Sequence, residues 1–406
     1  MKTFNVPFTY RSPLITAIKT QRKAADKLKK DLSPTLLDFG PLRFFLARHF
    51  GFCYGVENAI EIAYRCIDEN PGKRIFLLSE MIHNPQVNRD LEEKGVSFLQ
   101  DTYGKQLIPF DSLTAEDVVI IPAFGTTPAL EAQLQQRGIQ PEKYNTTCPF
   151  VEKVWNRGEA LGKKGYSLVI HGKPKHEETR ATFSRTAAHS AAVVVNDMAE
   201  AIILAAFIRG EKPANEFFST FEGRYSEGFD PAIHLKRFGV INQTTQLATD
   251  TQAIADYLKN ELLQQPGTPA DAFADARDTL CYATNDNQSA VLGMLEAKAD
   301  LAIVVGGYNS SNTSHLVELC ENNLPTYFIN GPEKILTADT IEHFNWRSKT
   351  LHTTTGFLPE KTPVDIMLTS GASCPDALVE QVIERLLECF TNTKSITEVM
   401  LQLENS

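Results

Sequence analysis

The sequence lacks an apolar run long enough to cross a bilayer. The longest runs, such as residues 201–208, are far shorter than the roughly 20 apolar residues of a transmembrane helix. No secretory leader is apparent, so we expect an intracellular protein without a membrane partner. The predicted compartment is the cytoplasm, or the plastid stroma if the first residues form a targeting segment.

An excess of positive charge is also missing. The chain has 40 Lys and Arg residues against 50 Asp and Glu residues, which gives a formal net charge of −10. Proteins that bind nucleic acid electrostatically normally present a basic surface. The composition therefore argues against a nucleic-acid partner.

Cysteine is scarce, and two common enzyme signatures are absent. Seven cysteines in 406 residues, an odd number, fit poorly with a complete disulfide framework. No dinucleotide-binding fingerprint is present, and His176-Glu177-Glu178 does not match the HExxH pattern of helical zinc proteases. These absences argue against a disulfide scaffold, a bound dinucleotide reductant and that protease class.

Three of the cysteines each open an amphipathic segment at helical spacing. They are Cys53 between two glycines, Cys148 before Pro149, and Cys281 before an apolar run. A thiol at a helix N-terminus has its thiolate form favoured by the helix dipole. Any one of them alone is more simply a small buried residue, but the recurrence favours one ligand per lobe.

Three cysteines do not complete a four-coordinate structural zinc site without a fourth ligand. They are enough to hold three irons of a cubane cluster and leave the fourth iron open to substrate. The remaining cysteines lie in or beside apolar segments, and we expect them to be packing residues: Cys66, Cys320, Cys374 and Cys389.

Short apolar strands alternate with amphipathic helices from about residue 43 onward. This alternation predicts an α/β fold with mostly parallel sheets, and the three cysteine-led units predict three similar lobes. The predicted domains are an N-terminal extension (1–42), three α/β lobes (43–148, 149–275 and 276–389) and a C-terminal tail (390–406). Within the second lobe, residues 211–232 are predicted to be an inserted loop.

The N-terminal extension is basic and has a short apolar face. Its cations are Lys19, Arg22, Lys23, Lys27, Lys29 and Lys30, interspersed with Asp26 and Asp31. Leu14, Ile15 and Ile18 are spaced to lie on one side of a helix. We expect a solvated, partly helical segment that packs on the body.

Polar loops follow the predicted strands, where ligands bind in open α/β sheets. Ser310-Ser311-Asn312 and Ser373 lie between a strand and a helix, a position suited to phosphate binding or simply to helix capping. His83 and His176 follow other strands and favour an anion site. Glu178 is either a surface acid or a buried proton donor, and Thr244 either a cap or part of a relay beside it.

Taken together, the motifs resemble the 4-hydroxy-3-methylbut-2-enyl diphosphate reductase (LytB/IspH) family over residues 44–389. The motifs are GFCYGVENAI, EMIHNPQVN, NTTCPFVEKV, KHEETRAT, INQTT, LCYATNDNQSAV, YNSSNTS and SGASCPD. The resemblance implies a pseudo-threefold trefoil of α/β domains around one 4Fe–4S cluster per chain, held by Cys53, Cys148 and Cys281. It also implies reductive removal of the substrate hydroxyl to give isopentenyl and dimethylallyl diphosphate.

The resemblance also assigns roles to the polar residues. The diphosphate would be held by His83, His176, Ser310, Ser311, Asn312 and Ser373. Glu178 would donate the proton, and Thr244 would lie near the hydroxyl. A ferredoxin or flavodoxin would supply the electrons.

One position departs from the family pattern. Many members have histidine where this chain has Phe124, so one contact to the diphosphate is missing or is supplied by Thr126, Thr127 or Lys173. A longer branch of the family, from plants and cyanobacteria, is similar here and has a comparable extension. We expect changed anchoring or a changed partner rather than lost activity.

Two other classes remain open from the residues alone. One is another enzyme with a three-cysteine cluster, such as a hydro-lyase or a quinolinate synthase-like enzyme. The other is a non-catalytic iron–sulfur sensor or a zinc-bound scaffold, although no recognisable DNA- or protein-binding module accompanies the cysteines.

Overall fold

A computed structural model describes residues 4–274 and 279–404 of the chain. Its helices are α1 (Pro13–Ala25), α2 (Tyr54–Glu69), α3 (Pro85–Glu93), α4 (Pro128–Gln135), α5 (Pro149–Gly162), α6 (Glu177–Ala187), α7 (Met198–Ile208), α8 (Ala214–Thr220), α9 (Pro231–His234), α10 (Ala248–Leu263), α11 (Tyr282–Leu295), α12 (Ser311–Glu321), α13 (Asp376–Leu387) and α14 (Ile396–Glu404). None of these described helices combines the length and apolar character that a membrane crossing requires.

The described strands are short and mostly buried. They are β1 (Thr35–Asp38), β2 (Leu42–Leu46), β3 (Ile75–Leu77), β4 (Val96–Phe98), β5 (Val118–Ile120), β6 (Ser167–His171), β7 (Ala192–Val195), β8 (Phe238–Asn242), β9 (Phe273–Ala274), β10 (Leu301–Val305), β11 (Thr326–Ile329), β12 (Thr340–Asn345), β13 (Thr350–Thr355) and β14 (Val364–Ser370). They belong to two compact units. One contains the chain up to Glu57, residues 83–86 and the chain from Tyr282 onward, and the other contains Asn58–Ile82 and Val87–Cys281.

The unit with Val87–Cys281 contains two parallel sheets. The first has the strand order β4-β3-β5 and the second β7-β6-β8-β9. Every residue of β6, β7 and β8 is buried, as expected for parallel strands covered by helices on both faces. The Val- and Ile-rich runs of the sequence therefore become central strands.

The other unit contains a five-stranded sheet of order β1-β2-β14-β10-β11. Only β1 is antiparallel to its neighbour in this sheet. Leu42 of β2 pairs with Val364 of β14, so the strand that precedes Cys53 lies in the same sheet as the C-terminal strands. A polar hairpin, β12–β13, forms a separate two-stranded sheet. The predicted α/β class with mostly parallel sheets is confirmed, while the predicted domain boundaries stay a prediction.

The N-terminal extension forms the predicted helical face. Ser12 caps α1 by accepting a hydrogen bond from the N–H of Ile15, and Pro13 occupies the first turn. Leu14, Ile15 and Ile18 are fully or almost fully buried. They pack α1 against α13 and α14 of the same unit, which confirms a partly helical segment attached to the body.

The prediction of a loop over residues 211–232 was wrong. This segment contains α8 and α9, and Phe217 and Phe221 are completely buried in it. Phe217 stacks on Phe229 with ring centroids 4.9 Å apart and an interplanar angle of 5°. Burial of the aromatic rings stabilises the folded segment. This stabilisation exceeds the conformational entropy cost of ordering the polar and glycine residues.

Candidate active site

The three helix-leading cysteines share one backbone contact. Each donates its N–H to a carbonyl in a loop that follows a parallel strand: Cys53 to Ala372 after β14 at 3.1 Å, Cys148 to Ala123 after β5 at 2.9 Å, and Cys281 to Thr244 after β8 at 3.3 Å. Each cysteine is thus tied to the carboxyl end of a sheet, the edge at which α/β proteins bind ligands. The cysteine-led motif that recurs in the sequence therefore has the same local backbone geometry at all three positions.

Cys53 is held by a crowded turn before α2. Gly51 has φ of +79°, a conformation that glycine adopts without strain. A Cβ at this position would overlap the carboxylate of Asp376 and approach Nζ of Lys19 to 2.9 Å. Lys19 and Asp376 form an ion pair at 2.7 Å, so the glycine lets this pair lie directly against the chain beside Cys53.

Cys148 is the N-cap residue of α5, with Pro149 in the first turn. Its carbonyl accepts hydrogen bonds from the N–H groups of Val151 and Glu152. Gly125, two residues after the carbonyl that Cys148 contacts, has φ of +74°, and a Cβ there would overlap the Trp155 ring. The backbone before α5 is therefore fixed by packing as well as by hydrogen bonds.

The other four cysteines have the character of packing residues. Cys66, Cys320 and Cys374 are completely buried. Burial raises the pKa of each of these three thiols to about 12, and it also raises the pKa of Cys389. These thiols stay protonated at neutral pH, and the thiol form is a poor metal ligand.

Cysteine thiolates are the usual protein ligands of iron–sulfur clusters, so the chemistry of the Cys53, Cys148 and Cys281 side chains suits such a group. None of the three forms a disulfide bond. In the described part of the chain, no three His, Cys, Asp or Glu side chains are grouped as ligands of a single metal ion. Cysteines that hold a cubane each bind a different iron, so that arrangement does not require three sulfurs around one point.

Glu178 is buried and is held on both carboxylate oxygens by Thr244. The glutamate is 1% exposed. The Thr244 N–H donates to Oε1 at 2.5 Å, and the Thr244 hydroxyl donates to Oε2 at 3.0 Å. Since the Thr244 carbonyl also accepts the Cys281 N–H, one residue connects the acid to a predicted cluster ligand.

His176 caps α6, and this cap selects one tautomer of its neutral imidazole. Its Nδ1 accepts the backbone N–H of Glu178 at 3.2 Å. This contact leaves the proton of a neutral imidazole on Nε2, which is then a hydrogen-bond donor. The Phe124 ring meets the His176 ring edge to face, with centroids 5.6 Å apart, so the residue that departs from the family pattern packs against a predicted diphosphate ligand.

Gln243 is a site residue that sequence reasoning did not single out. It is completely buried, and its side-chain oxygen accepts hydrogen bonds from the Lys173 N–H at 3.1 Å and the Thr179 hydroxyl at 3.0 Å. It therefore fixes the loop after β6 and the first turn of α6, which carry His176 and Glu178. Its place in the INQTT motif was the only sequence feature that pointed to Gln243.

Asn312 connects a predicted anion loop to the Cys53 turn. Its Oδ1 accepts the Ala372 N–H at 2.9 Å, and the Ala372 carbonyl accepts the Cys53 N–H. The side chain is 3% exposed, and its Nδ2 has no hydrogen-bond partner among the described residues. A buried amide donor without a partner is costly, and an anion would satisfy it.

The serines near Asn312 combine capping with a position suited to anion binding. Ser310 is the N-cap of α12, and its hydroxyl accepts the Thr313 N–H at 3.2 Å. Ser311 lies in the first turn, where backbone N–H groups lack partners within a helix. The Ser373 hydroxyl donates to the His83 carbonyl at 3.2 Å. Capping, the simpler interpretation of Ser310, is therefore correct for its hydroxyl oxygen.

The predicted site residues lie in two groups, one in each unit. The first group is Cys53, His83, Ser310, Ser311, Asn312 and Ser373, and the second is Cys148, His176, Glu178, Thr244 and Cys281. Within each group, backbone and side-chain hydrogen bonds join helix N-termini to the ends of parallel strands. The catalytic and binding roles of these residues stay predictions.

Two solved structures share the fold. A structure of (E)-4-hydroxy-3-methyl-but-2-enyl diphosphate reductase, the terminal enzyme of the non-mevalonate pathway, aligns with a TM-score of 0.51 at 24% identity, covering 85% of this chain and 99% of that one. The E-1-hydroxy-2-methyl-but-2-enyl-4-diphosphate reductase of Plasmodium falciparum aligns with a TM-score of 0.63 at 20% identity, covering 89% and 98%.

Sequence comparison gives closer relatives. The 4-hydroxy-3-methylbut-2-enyl diphosphate reductase of Synechococcus sp. strain WH7803 is 40% identical over 353 residues, which is 86% of either chain. The protein of the same name from Crocosphaera subtropica strain ATCC 51142 is 39% identical over 351 residues, 86% of this chain and 85% of that one. The profile of the LytB protein family matches residues 44–387. The chain belongs to the LytB family.

Proposed function

We propose that this chain reduces 4-hydroxy-3-methylbut-2-enyl diphosphate to isopentenyl and dimethylallyl diphosphate, the last step of the non-mevalonate isoprenoid pathway. Membership of the LytB family and the names of its relatives at about 40% identity support this function. The structural observation that carries it is the buried Glu178 carboxyl held by Thr244, whose carbonyl contacts Cys281. This arrangement suits an acid that acts beside a cysteine-held redox centre.

The proposed cofactor is one 4Fe–4S cluster per chain, with Cys53, Cys148 and Cys281 as its ligands. Each of these thiols begins a helix, where the dipole favours the thiolate form. When bound, a cluster with one iron free of protein ligands supplies electrons and Lewis acidity. Their positions at helix N-termini support the choice of these three cysteines over the four whose pKa is raised by burial.

Glu178 is the proposed proton donor. The reaction breaks the C–O bond, forms a C–H bond, consumes two electrons and two protons, and releases the oxygen as water. Hydroxide is a poor leaving group, so a proton must reach the departing oxygen. A carboxyl that is 1% exposed and fixed by two Thr244 contacts is held ready for that transfer, shielded from bulk water.

The diphosphate is the proposed anchor of the substrate. In one unit, the Asn312 amide and the first turn of α12 at Ser311 offer donors to an anion. In the other unit, Nε2 of His176 is a donor, because Nδ1 already accepts a backbone N–H. Fixing the charged end of a substrate places its reacting carbon, which is a large entropic advantage.

A ferredoxin or flavodoxin is the proposed source of electrons. The sequence contains no dinucleotide-binding fingerprint. A separate protein that carries one electron at a time would therefore reduce the chain twice in each turnover.

The test is turnover by the full chain after anaerobic loading with iron and sulfide. We expect reduced methyl viologen to be oxidised only when the hydroxylated diphosphate is present, with both products visible by NMR. Cys281→Ser should lose bound iron and turnover, whereas the matched Cys66→Ser variant should keep both. Substrate consumption without oxidation of the viologen would instead indicate a hydro-lyase and contradict the proposal.

A further inference from the structure

Positive charge is concentrated in a short part of this acidic chain. Residues 11–31 contain seven Lys and Arg residues and two Asp residues, so they carry a net charge of +5, while the rest of the chain carries −15. The segment lies outside the part of the chain that the LytB profile matches. Clustered charge of one sign on a protein of the opposite sign is a means of steering a partner.

The extension is in direct contact with the turn that carries Cys53. The three contacts that flank this cysteine are Phe4 with Tyr54 at 4.9 Å between ring centroids, Tyr10 with Phe52 at 5.7 Å, and Lys19 Nζ with the Phe50 ring at 4.6 Å. Through these contacts the N-terminal extension, which carries the basic segment, packs on both sides of a proposed cluster ligand. A partner that docks on the segment would therefore approach that ligand.

A groove of about 280 Å³ lies between the extension and this turn. Its walls include Arg11, Lys19 and Lys23 on the extension and Phe52 next to Cys53. The groove is only partly enclosed, which suits contact with a protein surface better than the burial of a small molecule.

Two acids, Glu57 and Asp376, also line the groove, so its three cations and two acids sum to a formal charge of +1. Asp376 is neutralised by its ion pair with Lys19. Glu57 is half-buried at the start of α2, faces the charges of Lys19 and Arg11, and has a pKa raised by burial.

The cations at the rim are available to a partner. Arg11 and Lys23 are both exposed. Among the described residues neither forms an ion pair, and the Arg11 guanidinium donates only to the Phe4 carbonyl. An exposed cation that is not held in an ion pair can attract a negative surface.

We propose that this basic groove is the docking surface for an acidic one-electron carrier protein that reduces the Cys53 side of the active centre. The inference rests on the proposed function, because only a reductase that lacks its own dinucleotide site needs such a carrier. Electron transfer slows steeply with distance, so the docking surface must lie beside a cluster ligand. In the described part of the chain, the Arg11 and Lys23 rim combines that location with the opposite charge.

The test uses the full chain loaded with its cluster and an acidic plant-type 2Fe–2S ferredoxin as the probe. We expect the double variant Arg11→Glu/Lys23→Glu to lower the association rate with ferredoxin about tenfold at low ionic strength and to flatten its salt dependence. Arg11→Gln/Lys23→Gln should give a smaller effect in the same direction. Lys298→Glu reverses one charge at an exposed site in the same unit, so it is the matched control for the single variant Lys23→Glu and should change neither the association rate nor its salt dependence.

Two further measurements separate docking from catalysis. Turnover driven by reduced methyl viologen should be unchanged in the charge-reversal variant, because the small donor needs no docking surface. Ferredoxin binding and cluster bleaching are recorded without substrate, so they remain informative even if the diphosphate is not turned over. Ferredoxin kinetics equal to those of Lys298→Glu would overturn the proposal. So would charge-dependent binding to phosphatidylserine vesicles with unchanged ferredoxin kinetics, which would assign the face to a membrane.

Discussion

Thr244 contacts both carboxylate oxygens of Glu178, one through its backbone N–H at 2.5 Å and one through its hydroxyl at 3.0 Å. The carboxyl is thereby held in one orientation in a buried site. Acid catalysis from this position requires a side chain that can release a proton. Glutamine keeps the shape and one acceptor oxygen but has no such proton.

Glu178→Gln should therefore lower kcat by about 10²–10⁴-fold, the usual contribution of general acid catalysis. Iron and sulfide content should stay at the wild-type level. The control is Glu177→Gln, one residue earlier on α6, whose carboxylate contacts the Ser79 hydroxyl instead. Equal losses in the two variants would show that the helix start, and not the Glu178 proton, limits the rate.

Asn312 should determine how tightly the substrate diphosphate is bound. Asn312→Asp keeps the acceptor for the Ala372 N–H but replaces a donor by a negative charge. We expect the KM to rise at least tenfold, because like-charge contact weakens anion binding, while bound iron is unchanged. Asn322→Asp, at the exposed far end of the same helix, provides the charge control, and an unchanged KM in Asn312→Asp would remove this residue from the anion site.

Gly51 should be intolerant of a side chain for two separable reasons. Gly51 and Gly72 both have φ of +79°, but a Cβ at Gly72 meets nothing within 4 Å, whereas one at Gly51 overlaps Asp376. Gly72→Ala should therefore cost only the backbone penalty of about 1–2 kcal/mol. Gly51→Ala should cost more and should also reduce iron retention, which denaturant unfolding and iron analysis would measure. Equal effects of the two substitutions would mean that the Lys19–Asp376 pair moves aside freely.

His49 should make the stability of the fold depend on pH. Burial lowers the pKa of this imidazole to about 4 in the folded chain, whereas an unfolded histidine titrates near 6.5. Between these values the unfolded state binds more protons, so the free energy of unfolding falls as the pH drops from about 6.5 to 4. The loss should be about 1–3 kcal/mol.

Urea unfolding at several pH values checks this expectation. His49→Phe, which keeps a ring but has no titrating group, should flatten the dependence in that window. His189→Asn, at an exposed site, is the matched control. A His49→Phe variant with the wild-type slope would assign the pH dependence to other groups.

The elements that the sequence predicted well are marked by residue patterns within the element itself or next to it. The strand at 301–305 was predicted with the bounds that β10 has, because a continuous apolar run is followed by glycines and a capping serine. The three cysteine-led helices were predicted for a similar reason. Each combines a turn-forming residue, a cysteine and an apolar face within a few residues.

The missed features depend on partners far away in the chain. No local signal indicates that Leu42 pairs with Val364, since sheet order is decided by packing across the whole unit. In the hairpin β12–β13, Ile341 is the one buried residue and five of the six β13 residues are exposed, so the hairpin lacks the alternating burial that marks a strand. Gln243 was missed because a buried glutamine and a solvent-exposed one look alike in sequence.

The high pKa values of the packing cysteines have a practical consequence for chemical footprinting. Cys66, Cys320 and Cys374 are sealed and protonated, so alkylating reagents such as iodoacetamide should leave them unmodified in the native chain. Adducts found by mass spectrometry would then lie chiefly on the half-buried Cys53, Cys148 and Cys389, and peptide mapping would separate Cys389 from the two helix-leading cysteines. A gel-free count of carbamidomethyl groups before and after cofactor loading would thus measure occupancy without any spectroscopic signal.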